Sequence, residues 1–168
     1  MRLFLLYFFV GVFLILLQGT FFRLLPLGPV VPDLVLVLCV YLGLHHPTMG
    51  AALGSFLLGY SVDVVSSHLL GLNAFAMSLV FLAVYLSSRS IWIQNPLVTS
   101  FVVLLAAVVK GAALVLLWAI FLSVEGFWIG AARYIIMEAV LAAVLAPVVF
   151  ALLRRGQNYI EGFRAVAQ

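Results

Sequence analysis

The chain has 168 residues, of which 67% are hydrophobic and 8% charged, with a net charge of +3. A soluble domain carries about 25% charged residues, so this chain lacks the polar surface to coat a water-facing globule, and its solvent is the bilayer. The cations are scattered at the ends of apolar segments and form no basic face, which excludes a nucleic-acid binder, and the single cysteine, Cys39, excludes an internal disulfide.

The first apolar run, Leu3 to Phe22, follows Met1-Arg2. It is longer than a signal-peptide core of about 7–15 residues, and "LLQGTFFR" offers no small-residue cleavage site, so it is expected to remain as a first span. A second segment over 31–45 has only twelve residues from Asp33 to Leu44 before His45-His46-Pro47. A spanning helix needs roughly 20, so this one is expected to be short and tilted, extended into "GPVV", or re-entrant. Four further spans are predicted over 48–66, 70–88, 97–122 and 131–153. Pro47 favours the start of the third, and the short links make consecutive helices antiparallel neighbours. Trp92 and Trp128 lie in or near links, as interfacial anchors do.

The reading is therefore an all-α integral membrane protein, one six-helix transmembrane domain over 1–153 followed by a short basic tail over 154–168. With six spans, Arg2, Arg89, Arg154, Arg155 and Arg164 collect on one side and Arg23 and Arg133 on the other. That bias places both termini in the cytoplasm. The tail arginines read first as a positive-inside stop, with contact to anionic lipid as the further reading.

Three ionisable residues fall well inside spans: Asp63, Lys110 and Glu138. At the rise of an α-helix they lie at ~22, ~20 and ~22 Å from the cytoplasmic ends of their segments. A lone charge at mid-membrane costs about 2.5–3.5 kcal/mol, so a shared depth predicts a buried polar cluster. Lys110 is expected to pair with Asp63 first and with Glu138 second, as a polar lock or as a proton-relay or substrate site. The neighbours of Lys110 one turn away, Ala106, Ala107 and Ala113, suit a face packed against other helices. Arg133 is expected to pair with Glu125 or to snorkel.

Other constellations carry less. His45, His46 and His68 fall on opposite membrane faces in the six-span layout, so no shared metal and no cofactor is expected. Ser61, Ser66, Asp63 and His68 adjoin in sequence, but adjacency along a helix is not triad geometry, and no catalytic set is predicted. "GAALG" (Gly50–Gly54) and "AVLAAVLA" (Ala139–Ala146) space small residues for close helix approach, and Gly50, Gly54 and Gly59 are the packing candidates. In "LLGLNAF" (Leu69–Phe75), Gly71 can turn the chain and Asn73 can cap the next helix. Gly71, Leu72 and Asn73 then form either a tight turn or a periplasmic recognition loop.

These pieces resemble a family. "PDLVLVLCVYLGL" (Pro32–Leu44), then "GAALGSFLLGYSVDVVSSHLLGLNAF" (Gly50–Phe75), with a Gly-rich third span ending in G-x-x-x-D followed by L-G-L-N-A, resemble the bacterial rod shape-determining protein MreD family. The matching positions are Pro32, Asp33, Gly54, Gly59, Asp63, Gly71, Leu72, Asn73 and Ala74. The resemblance implies a non-enzymatic scaffold of the cell-elongation machinery in the bacterial inner membrane. Its implied partners are an MreC-like single-span protein, the glycosyltransferase RodA, a class B penicillin-binding protein and the MreB filament. It also implies a fold similar to the S component of ECF-type transporters, and a substrate-binding S component is the alternative function. Such S components often carry A-x-x-x-A on the first span, whereas the first alanine of this chain is Ala51.

Overall fold

The computed structural model describes residues 2–24, 32–66, 70–88, 96–122 and 128–166. Six helices occupy them: α1 (Arg2–Leu24), α2 (Leu34–His45), α3 (Met49–Ser66), α4 (Leu72–Ser88), α5 (Pro96–Leu122) and α6 (Trp128–Val166). In hydrocarbon every backbone N–H and C=O must be satisfied within its own segment, which is why so apolar a chain takes up helix after helix. Three stretches are long and apolar enough to cross a membrane: Met49–Ser66, Leu97–Leu117 and Ile135–Gly156. The apolar stretches Tyr7–Thr20, Leu34–His45 and Leu72–Ser88 are shorter.

The organising element is the shortest helix. α2 has 12 residues, buried continuously from Leu34 to Gly43, and Val35, Val37, Leu38, Cys39, Val40 and Tyr41 are 0% exposed. It touches each of the other five helices. A helix apolar on all sides has no solvent face to orient it and is buried wholesale, so α2 is a central post. At about 18 Å it falls well short of a hydrocarbon core of about 30 Å. The helix begins at Leu34, later than an extension into "GPVV" would have it, and is capped by Asp33, whose Oδ1 accepts from Leu36 N at 2.9 Å.

Consecutive helices are in contact all along the chain. Between α2 and α3 the chain turns in three residues, with His46 N bonded to Leu42 O and Thr48 N to His46 O. α3 starts one residue later than predicted, at Met49, because the Thr48 hydroxyl accepts from Ala51 N at 3.2 Å and acts as the cap. α6 runs unbroken through the segment expected to be a tail, as far as Val166. Pro147 lies inside it, where the missing N–H and the ring disturb the turn before; the residue four positions earlier is Ala143.

Two faces of α3 show how the bundle divides core from lipid. Ala51, Gly54, Ser55, Leu58, Gly59 and Asp63 are buried, at helical spacing. Leu53, Phe56, Leu57, Tyr60 and Val64 are exposed, an apolar stripe suited to acyl chains. The small residues of α6 share the inner side: Ala139, Ala142, Ala143 and Ala146 are all buried. Gly50 is only partly buried. At Gly59 the two backbones come so close that an added Cβ would collide with Asn73 O and with Ala74 N and Cα. Backbone atoms cannot step aside as a flexible side chain can.

Gly59→Ala is therefore expected to lower the thermal midpoint in mild detergent by several degrees. Gly156→Ala, where a Cβ meets nothing within 4 Å, is expected to leave it unchanged or raise it slightly, as helix propensity favours alanine by about 1 kcal/mol.

Candidate functional site: an ion cluster, a capped turn and a polar cavity

Lys110 projects from the middle of α5 on the face carrying Ala106, Ala107 and Ala113, all buried. Its ammonium donates to Asp33 Oδ2 and to Glu138 Oε1 at 3.2 Å. The side chains of Lys110 and Asp33 are 10% and 9% exposed, whereas that of Glu138 is 37% exposed. Asp33 thus does two things at once. One oxygen caps the first turn of α2, where the helix dipole favours negative charge, and the other neutralises the lysine on α5.

The pairing of Lys110 with Asp63 expected from depth is not formed, and the reason is geometric. Asp33, at the start of the second segment, is not among the residues expected at mid-span. Because α2 is short, Asp33 instead sits inside the bundle within reach of Lys110. Asp63 meanwhile is fully occupied elsewhere. Its carboxylate accepts from Gly71 N (3.0 Å), Asn73 N (3.0 Å), Asn73 Nδ2 (2.9 Å) and Ala74 N (3.1 Å).

These four bonds make Asp63 the cap of α4, supplied from the end of α3. The first N–H groups of any helix lack intrahelical partners, and a carboxylate there gains from both hydrogen bonds and dipole. Asn73, expected to be the cap, is the second residue of α4 and donates its side-chain amide to Asp63. Gly71 adopts φ +99°, a backbone conformation that other residues enter at a cost of about 1–2 kcal/mol. Leu72 is partly buried, while Leu70 and Phe75 are 65% and 48% exposed.

Between these two polar centres lies a cavity of about 350 Å³. Its polar lining comes from Gln18 on α1, Asp33 before α2, Ser66 on α3, Asn73 on α4, Lys110 on α5 and Glu138 on α6. Gln18 turns its Nε2 to the carbonyl of Pro32, tying α1 to the entry of α2.

A second cluster closes the opposite end of α2. The His45 ring stacks on Tyr41 (4.5 Å between centroids, 18° between planes) and meets the edge of Phe150. Arg154 Nη2 donates to His45 Nε2 at 3.3 Å. His46 Nε2 lies 3.3 Å from the Tyr7 hydroxyl. The paired histidines join α1, α2 and α6 through an aromatic stack, and Arg154 takes part in it. Among the described residues no group of three or more His, Cys, Asp and Glu side chains is placed to hold a metal ion. His68, Trp92 and Glu125 lie outside the described residues, and Arg133 is exposed.

Asp33 and Gln18 are the site residues that depth counting missed. The signal was present: Pro-Asp immediately before an apolar run is a helix-start pattern, and Gln18 is a polar residue interrupting the first apolar run.

Lys110→Met is expected to cost about 3–5 kcal/mol, the range for stripping one partner from a buried pair. Adding Asp33→Asn should recover much of the loss, because asparagine keeps the cap without the charge. Adding Asp63→Asn in its place should recover none. Thermal unfolding of the single and paired variants measures both. By the same assay, Asp63→Ala should cost about 3 kcal/mol or more, since three backbone N–H groups lose their acceptor. Asn73→Ala removes one bond and should cost about 1 kcal/mol.

No curated protein and no solved structure matches the chain. A family comparison does find a match: the model of the rod shape-determining protein MreD covers residues 1–156 of the 168. With its apolar spanning helices and this match over nearly its whole length, the chain belongs to the rod shape-determining protein MreD family.

Proposed function

We propose that the protein is a non-enzymatic scaffold of the bacterial cell-elongation machinery, a multi-pass bundle of the inner membrane that binds an MreC-like single-span partner. RodA, a class B penicillin-binding protein and the MreB filament are the wider assembly this reading places around it. The family supplies the association with cell shape. The observation that supports a scaffold is the internal pairing of the intramembrane charges. Lys110, Asp33 and Glu138 draw three helices together, and the exposed faces left over are apolar. Such a body suits side-by-side packing with one more transmembrane helix.

In this reading all six helices belong to one membrane domain over 1–153, with both termini cytoplasmic. Residues 154–168 carry α6 beyond it as the basic tail, available to anionic lipid. The distribution of arginines supports that orientation. The turn at Gly71, Leu72 and Asn73 then faces the periplasm. Asp63 holds its backbone, and the exposed side chains beside it, Leu70 and Phe75, are the contact points for a periplasmic partner segment.

The test is affinity purification of the tagged protein from native membranes in mild detergent. A single-span periplasmic protein together with wall-synthesis enzymes is the expected company. An ATPase pair with a membrane coupling subunit would contradict the scaffold. Leu70→Glu should reduce recovery of the single-span protein severalfold while leaving the thermal midpoint within about a degree. Unchanged recovery would remove the turn from the interface.

A further inference from the structure

The ion cluster is unbalanced. Two carboxylates, Asp33 and Glu138, face one ammonium, Lys110. Asp33 and Lys110 are nine-tenths buried and satisfy each other, whereas Glu138 has one oxygen on Lys110 and its side chain is 37% exposed. Glu138 is also part of the cavity lining, so the excess negative charge of the cluster belongs to that cavity.

The remaining polar lining adds further acceptors. Gln18 donates one amide N–H to Pro32 O, and Asn73 donates one of its own to Asp63. Each keeps its carbonyl oxygen, an acceptor, together with a second N–H. Around the cavity, therefore, stand the second carboxylate oxygen of Glu138 and the amide oxygens of Gln18 and Asn73. The donors beside them are the third N–H of Lys110, the second amide N–H of Gln18 and of Asn73, and the Ser66 hydroxyl, and of these only Lys110 is charged, already answered by Asp33. An anion would meet net negative charge. An apolar molecule would leave Glu138 without compensation in a medium where that is costly. A primary ammonium brings one positive charge and three N–H donors, which suits three acceptors and one excess charge. At about 350 Å³ the space is at the lower end of small-ligand pockets. It accommodates a headgroup-sized molecule and not an acyl chain.

We propose that this cavity binds a primary ammonium group, presented either by a lipid headgroup or by a small free amine, with Glu138 as its counter-charge. The site is independent of the scaffold reading and would stand if that reading fell.

The experiment uses the full-length protein in phosphatidylcholine nanodiscs with two probes. In one arm the nanodiscs are doped with phosphatidylethanolamine and native mass spectrometry counts the molecules retained per chain. In the other, free ethanolamine is titrated into undoped discs and the thermal midpoint is followed. Two variants accompany the wild type. Glu138→Gln removes the counter-charge but leaves Lys110 its bond to Asp33. Ser66→Phe obstructs the cavity from the exposed end of α3 with the ion cluster intact. The proposal expects one arm to respond in the wild type, with retention or apparent affinity falling at least tenfold in both variants. The responding arm identifies the source of the amine. Absence of response in both arms overturns the proposal, as does equal response in wild type and variants.

Discussion

The contact between Lys110 and Asp33 is the constraint on which the rest of the bundle depends. A lysine in the middle of a 27-residue apolar helix is tolerable only if partners wait at its depth, and the more buried of its two partners, Asp33, is brought there by the start of a short helix. α2 is that helix. Its brevity, its burial on every side and its aspartate cap are three expressions of one arrangement. The post is short so that its charged end meets the lysine, and it is apolar all round because five neighbours enclose it. The aromatic stack of Tyr41, His45 and Phe150 with Arg154 holds its other end. α2 is thereby pinned at both ends by side chains from α5 and α6.

Asp63 solves a different problem with the same chemistry. The close approach of α3 and α4 at Gly59 leaves no room for a long connection, and the start of α4 would carry bare N–H groups in a poorly hydrated place. A carboxylate projecting from α3 satisfies three backbone donors and one side-chain amide together. Glycine at position 71 permits the turn that brings them to it. The G-x-x-x-D and L-G-L-N-A stretches are thus two halves of one device: Gly59 lets the helices touch, and Asp63 closes the turn they share.

Much of this was legible in the residues. Hydropathy located the apolar segments, and the small residues of α3 and α6 marked inward faces. The brevity of the second segment was visible as twelve residues from Asp33 to Leu44. The partner of Lys110 was not legible, because only residues deep within the apolar segments were matched by depth, and Asp33 stands at a segment end. That left Asp33 out of the matched set and Asp63 as the first choice of acid. The role of Asp63 depends on four donors brought together by a turn, which no spacing rule reports. The histidine stack depends on α1, α2 and α6 meeting at one level, again a tertiary fact. Asp33 and Asp63 both lie at family-matching positions, yet their resemblance alone does not say which acid holds the lysine and which holds the turn.

The most direct test of the central claim is hydrogen exchange read by mass spectrometry on the protein in nanodiscs. The account predicts that Lys110→Met accelerates exchange at the start of α2, Leu34 to Val37, and leaves residues 71–74 as they were. Asp63→Asn should do the reverse. Matched loss of protection in both regions from either substitution would contradict it, since that is the behaviour of a single Lys110–Asp63 pair.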